Sequence, residues 1–92
     1  MTVLVVDQDW AALRDAAAAI TRENLAVTVV LKASTDAAAR FAMYHPVDLV
    51  FVRSGMCVDA LFRNIQKFQP MAECHILGAG EDLKPFLVPY TL

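Results

Sequence analysis

The sequence has no excess of positive charge and no long hydrophobic run. Eight Lys and Arg residues stand against ten Asp and Glu residues, a net charge of -2. Without a basic stripe of the kind that binds phosphate backbones, nucleic-acid binding by this chain alone is not expected. No apolar run approaches the ~18 residues that span a bilayer. The segment Met1 to Asp7 lacks the basic leader and cleavage site of a signal peptide. We therefore expect a soluble, cytoplasmic protein with no membrane partner.

Cysteine and glycine are also scarce, with two and three residues. Cys57 and Cys74 follow no metal-ligand spacing, and in a reducing compartment we expect both to be free thiols. The segment Gly78 to Gly80 lacks the spacing and the lysine of a phosphate-binding loop. No metal or cofactor is predicted.

Apolar residues, in contrast, are abundant: they make up 58% of the 92 residues, and the mean hydropathy is +0.46. The length predicts a single domain over residues 1–92. A chain of this size buries only about 60–65% of its unfolded surface on folding. Some apolar surface is therefore expected to face a partner.

Short apolar, β-branched runs alternate with amphipathic segments. The predicted strands are Thr2 to Val6, Ala26 to Leu31, Asp48 to Val52 and Cys74 to Leu77. The predicted helices are one capped by Asp9 with Trp10, Leu13, Ala16, Ala17 and Ile20 on one stripe, one capped by Ser34 or Thr35 with Ala38, Phe41 and Ala42 buried, and one with Leu61, Phe62, Ile65 and Phe68 on one side. This alternation predicts a parallel α/β sheet with helices on both faces.

Polar residues follow the predicted strands, at the edge where open α/β sheets bind ligands. They are Asp7, Gln8, Asp9, Arg53, Gly78 and, near the end of the chain, Lys84. The fourth strand is followed by too few residues for a further helix and strand of ordinary length.

Four segments in order resemble a response-regulator receiver domain. They are VLVVDQD (3–9), PVDLVFVRSGM (46–56), HILGA (75–79) and LKPF (83–86). The resemblance implies a flavodoxin-like, CheY-like doubly wound sheet with the strand order 2-1-3-4-5. It also implies a role in two-component signal transduction.

The same resemblance exposes losses at the phosphorylation pocket. Arg53 stands where receivers carry the phospho-accepting aspartate, Gln8 replaces the second metal-binding acid, and Gly78 replaces the switch serine or threonine; Lys84 is retained. Asp7 and Asp9 then face two cations, so a dication gains little there. We expect Arg53 to form a bidentate pair with Asp7.

The fourth helix of the family is missing, since Lys84 is only six positions after Gly78. Its absence leaves part of the sheet to be covered by the tail or by a second copy. The predicted homodimer interface comprises His75, Ile76, Leu77, Phe86, Leu87, Val88 and Tyr90.

These observations favour a phosphorylation-independent pseudo-receiver that acts through protein contacts or homodimerisation and is not an enzyme. The alternative is a sensor that binds a small anionic ligand at Arg53 and Lys84. A flavodoxin-like enzyme is least favoured, because no nucleophile and base can be placed together from their spacing.

We expect Trp10 to serve packing and not function.

Overall fold

The computed structural model describes residues 1–23, 27–78 and 86. These residues form four strands and three helices in strict alternation. The elements are β1 (Thr2–Val6), α1 (Trp10–Glu23), β2 (Thr28–Lys32), α2 (Thr35–Tyr44), β3 (Leu49–Arg53), α3 (Asp59–Phe68) and β4 (Glu73–Leu77).

The four strands form one parallel sheet in the order β2-β1-β3-β4. The predicted α/β fold with a doubly wound parallel sheet is confirmed, and the order is compatible with a shortened flavodoxin-like domain. Strand β1 has the predicted bounds, and the ends of the other strands differ from the prediction by at most two residues. In particular, β3 extends to Arg53, and β4 begins at Glu73. Ala26, predicted to open the second strand, lies outside the described residues.

Both faces of the two central strands are buried, because successive side chains alternate between two apolar clusters. The first cluster lies between the sheet and α1 and contains Val3, Val5, Leu13, Ala16, Ile20, Leu49, Phe51 and Leu77. The second lies under α2 and α3 and contains Leu4, Val6, Ala38, Ala42, Val47, Val50, Val52, Leu61 and Ile65. This burial explains why β1 and β3 read as continuous apolar runs and not as alternating ones.

The helix ends follow local side-chain chemistry. The Asp9 Oδ1 atom accepts a hydrogen bond from the Ala11 amide at 2.9 Å, and Ser34 Oγ accepts one from the Ala37 amide at 3.1 Å. Both satisfy amides that have no partner inside their helix. Helix α2 ends at Tyr44, where the C-cap residue His45 donates its amide to the Phe41 carbonyl. Both predicted caps are confirmed.

A side chain that the sequence patterns did not single out joins the ends of α2 and α3. Gln69, the residue after α3, donates from Nε2 to the carbonyls of Ala42 and His45 at 3.0 and 2.9 Å. These carbonyls lie at the end of α2, where helical partners run out. The amide therefore fixes the position of α3 relative to α2.

Trp10, expected to serve packing, is 57% exposed and is not part of either apolar cluster. Trp10 is the first residue of α1, one turn before the buried Leu13. We attribute its exposure to this position at the carboxyl edge of the sheet. Phe68, predicted on the buried side of α3, is 41% exposed at the other end of its helix. The helical period predicted which residues lie on one side of each helix, but not which of these residues lie beyond the sheet and are exposed.

The turn after β3 needs a glycine. Gly55 has φ of +92°, and a Cβ atom built there would meet nothing within 4 Å. The cost of a substitution is therefore conformational and not steric crowding. We expect Gly55→Ala to lower the free energy of unfolding by about 1–2 kcal/mol. Urea denaturation measures this, with Ser54→Ala as the control in the same turn. An unchanged midpoint for Gly55→Ala would contradict the assigned backbone conformation.

Candidate functional site

Asp7 lies immediately after β1 and is buried, with 6% of its surface exposed. Its amide donates to the Lys32 carbonyl at 3.1 Å, which ties the end of β1 to the end of β2. Its two carboxylate oxygens have different partners. Oδ1 accepts from the Asp9 amide at 3.0 Å, and Oδ2 accepts from Arg53 Nε at 3.0 Å. The carboxylate is thus held in one orientation by an amide and a cation.

Arg53 is the last residue of β3, and its guanidinium reaches two neighbouring strand ends. Nε donates to Asp7, next to β1, and Nη1 donates to the carbonyl of Gly78, next to β4, at 2.7 Å. A backbone bond of 2.7 Å from the Ser54 amide to the Leu77 carbonyl holds β3 and β4 together at the same level. One side chain therefore links the carboxyl ends of β1, β3 and β4.

The pairing of Arg53 with Asp7 differs from the expected bidentate geometry. A single bond from Nε reaches Asp7, while Nη1 turns to Gly78. The second carboxylate oxygen, Oδ1, accepts from the Asp9 amide. The planar guanidinium of arginine can donate to two acceptors in different directions. Here the two acceptors are the Asp7 carboxylate and the Gly78 carbonyl.

The other predicted pocket residues contribute less. Gln8 and Asp9 are exposed, and the Asp9 carboxylate caps α1. Gly78 takes part through its backbone carbonyl. Lys84 lies outside the described residues. In the part of the chain that the structure describes, no group of three or more His, Cys, Asp or Glu residues could hold a metal ion.

The predicted interface residues divide between the two faces of β4. On the α1 face, the His75 ring stacks on Phe51 at 5.4 Å between centroids and lies 4.9 Å from the Phe86 ring. Leu77 is buried in the cluster on that face. Ile76 lies on the opposite face and is 48% exposed. Leu87, Val88 and Tyr90 lie outside the described residues.

Both cysteines are free thiols, as expected. Cys57 is exposed in the loop before α3, whereas Cys74 is half-buried on β4. Burial raises the pKa of the Cys74 thiol above its ordinary value of 9.0, because desolvation disfavours the thiolate. Cys74 is therefore a poorer nucleophile at neutral pH than an unperturbed thiol.

We expect the two thiols to react differently with iodoacetamide between pH 7 and 9: the exposed Cys57 more rapidly, and Cys74 more slowly, because burial raises the pKa of the Cys74 thiol and lowers its thiolate fraction. The pKa of Cys74 is higher in the folded chain than in the unfolded chain. Its neutral thiol therefore stabilises the folded state fully at pH values below the unfolded-state pKa, and this contribution is lost as the pH rises through the folded-state pKa. Alkylation rates of Cys57→Ser and Cys74→Ser variants measure the two sites separately. Equal rates between pH 7 and 9 would contradict the difference in environment.

Removing the guanidinium should leave the buried Asp7 carboxylate without its cation. We expect Arg53→Met to lower the free energy of unfolding by about 1–3 kcal/mol, the range for losing a hydrogen bond to a charged group. Adding Asp7→Asn should recover part of that loss, because the amide carries no charge to compensate. A double-mutant cycle by denaturation measures the coupling. Arg63→Met, at an exposed position of α3, is the control. Additive effects of the two substitutions would show that the contact carries no coupling energy.

Comparison with known proteins adds no family assignment: no protein-family model matches the chain, and no curated protein matches its sequence. Among the described residues, no helix combines the length and the apolar character needed to cross a membrane.

Proposed function

We propose that this chain is a receiver-like module that acts in signal transduction without being phosphorylated, through protein–protein contact and as a homodimer. The observation that carries the proposal is the position of Arg53. It stands at the end of β3, where the resemblance places the phospho-acceptor, and its guanidinium binds Asp7 at 3.0 Å and the Gly78 carbonyl at 2.7 Å. No enzymatic reaction is part of the proposal.

The chemistry of arginine supports the loss of phosphotransfer. A phosphoryl group is accepted by a nucleophilic oxygen, whereas a guanidinium remains protonated and offers only donors. Arg53 therefore cannot take the role of the missing aspartate. Neighbouring Asp7 is buried with both oxygens already accepting hydrogen bonds, which leaves it poorly placed to attack phosphorus.

Charge at the strand ends supports the same interpretation. Magnesium prefers several oxygen ligands, usually carboxylates together with substrate phosphate. Here the charge of Asp7 is compensated by Arg53, and the Asp9 carboxylate caps α1. A dication would have to displace a guanidinium that already supplies positive charge at hydrogen-bond distance. The site thus favours a fixed, metal-independent arrangement.

A fixed arrangement at the strand ends implies a constant surface. The resemblance implies that phosphorylation of an ordinary receiver shifts its population between two conformations. Here Arg53 itself links β1, β3 and β4, so one conformation is favoured without any modification. The proposed signal therefore depends on what the surface binds, and not on its modification state.

The alternative, a sensor for a small anion at Arg53 and Lys84, has weaker support. Two nitrogens of the Arg53 guanidinium already donate to protein acceptors. An anion would compete with the Asp7 carboxylate, and binding would leave that buried carboxylate without its cation. Thermal-shift measurements with anionic metabolites distinguish the two functions, since specific binding raises the unfolding midpoint.

Incubation with acetyl phosphate and magnesium tests the proposal directly. We expect intact-mass spectrometry to show no phosphoryl adduct on the wild-type chain, because the position of the acceptor holds a guanidinium. Arg53→Asn removes the cation without supplying a carboxylate and should also stay unmodified. Arg53→Asp supplies the carboxylate and serves as the matched comparison. A phosphoryl group on any aspartate of the wild-type chain would show that the proposal is wrong.

A further inference from the structure

The backbone of β4 has a defined outer edge. On its inner side, the Glu73 amide donates to the Asp48 carbonyl at 3.0 Å, and the Leu77 carbonyl accepts from the Ser54 amide at 2.7 Å. Because successive residues of a strand direct their backbone groups to opposite sides, residues 73, 75 and 77 face β3. The amides and carbonyls of Cys74 and Ile76 therefore point outward. Among the described strands, β4 has β3 as its only neighbour.

The side chains of these two outward residues form an apolar surface. Cys74 and Ile76 lie beside Val50 and Val52 on the face covered by α2 and α3. Both valines are fully buried, whereas Ile76 is 48% exposed. Phe86, the one described residue after Gly78, packs on the opposite face, against Phe51 and His75. The Phe86 ring therefore does not cover Ile76.

A second copy of the chain can supply a matching edge. A two-fold axis perpendicular to the sheet makes two β4 strands antiparallel and keeps equivalent faces on the same side. With the axis at His75, Cys74 lies opposite the partner's Ile76, and both carry outward backbone groups. Each such pair exchanges two hydrogen bonds, and the symmetry gives two pairs. His75 then faces the partner's His75 as the non-hydrogen-bonded pair on the axis.

Neighbouring registers are less favourable, because they use groups that already have partners. An axis at Cys74 would place Ala72 opposite the partner's Ile76, but the Ala72 amide donates to the Gln69 carbonyl at 3.0 Å. An axis at Ile76 would place Cys74 opposite the partner's Gly78, and the Gly78 carbonyl already accepts from Arg53. A shift by one residue would oppose outward groups with inward ones.

We propose that two copies associate through antiparallel pairing of their β4 strands, centred on His75, to form one continuous sheet across the dimer. The proposal rests on the homodimeric form of the proposed function and assigns its partner surface and register. Main-chain hydrogen bonds hold such a strand addition together, and alternate side chains give it specificity. In this register, the cross-strand contact of Cys74 with the partner's Ile76 removes the exposed isoleucine from water.

A mixed cross-linking experiment tests the register. One copy carries Cys57→Ser and keeps Cys74 as its single thiol, and the other carries Cys57→Ser, Cys74→Ser and Ile76→Cys. Opposite residues of a hydrogen-bonded pair have Cα atoms about 5.5 Å apart, within the range of a disulfide. Oxidation of the mixture, with one copy isotopically labelled, should give a covalent heterodimer in at least about tenfold excess over either homodimer.

Other disulfides would overturn the proposed register. A dominant Cys74 homodimer would place the axis at residue 74, and a dominant homodimer of the Ile76→Cys copy would place it at residue 76. An exposed cysteine on the other edge strand, Thr28→Cys in the Cys57→Ser and Cys74→Ser background, measures collisional cross-linking. A heterodimer yield no greater than this control would reject strand pairing altogether.

Sedimentation equilibrium tests the association without cysteine chemistry. Ile76→Lys places a charge in the proposed contact and should weaken dimerisation by at least about tenfold. Met71→Lys, at a position 91% exposed before β4, should leave it unchanged. A wild-type monomer at about 100 µM, a concentration that populates even weak dimers, would overturn the proposal. Acetyl phosphate modification tests the proposed function separately, because it does not depend on dimerisation.

Discussion

The structure depends on one charged contact at the end of a buried sheet. Arg53 follows four fully or nearly fully buried residues of β3, and Asp7 follows four of β1. The Asp7 side chain is 8% exposed and the Arg53 side chain 23%, and a buried charge without a partner costs several kcal/mol. Asp7 therefore requires the cation that Arg53 supplies. The net contribution of such a pair to stability is small, since the cost of desolvation offsets the attraction between the charges. The loss of stability when one partner alone is removed is larger.

The same contact determines which polar groups are engaged at the strand ends. The guanidinium uses one donor on Asp7 and another on the Gly78 carbonyl, so the acceptors belong to the two strands that flank β3. The carboxyl ends of parallel strands are where α/β proteins place their chemistry. Here the same place is occupied by contacts that stabilise the sheet itself. The side chains of Asp7 and Arg53 are engaged in holding the strand ends together.

The sequence predicted the fold more fully than it predicted the site. Local signals predicted strand β1, all three helices and the parallel arrangement. These signals are the spacing of apolar residues, the helix caps and Pro46. The proximity of Arg53 and Asp7 followed from topology, since carboxyl ends of neighbouring parallel strands share one edge. The division of the guanidinium between Asp7 and the Gly78 carbonyl did not, because it depends on the positions of acceptors on two different strands. Gln69 was missed for a similar reason: a glutamine side chain that caps another helix has no sequence period. The exposure of Trp10 depends on where α1 leaves the sheet, which the helical stripe does not encode.

The strand ends and the outer side of β4 are different edges of the same sheet, and in the proposed module each has its own role. If the strand ends are fixed by Arg53, modification cannot move the surface between two states. The variable that remains is association. Pairing of identical edges is governed by mass action, so the fraction of dimer depends on the concentration of the chain and on any ligand that binds one form preferentially. In the proposed module, the signal would therefore depend on the concentration of the chain and on its binding partners, and not on a chemical change at the strand ends.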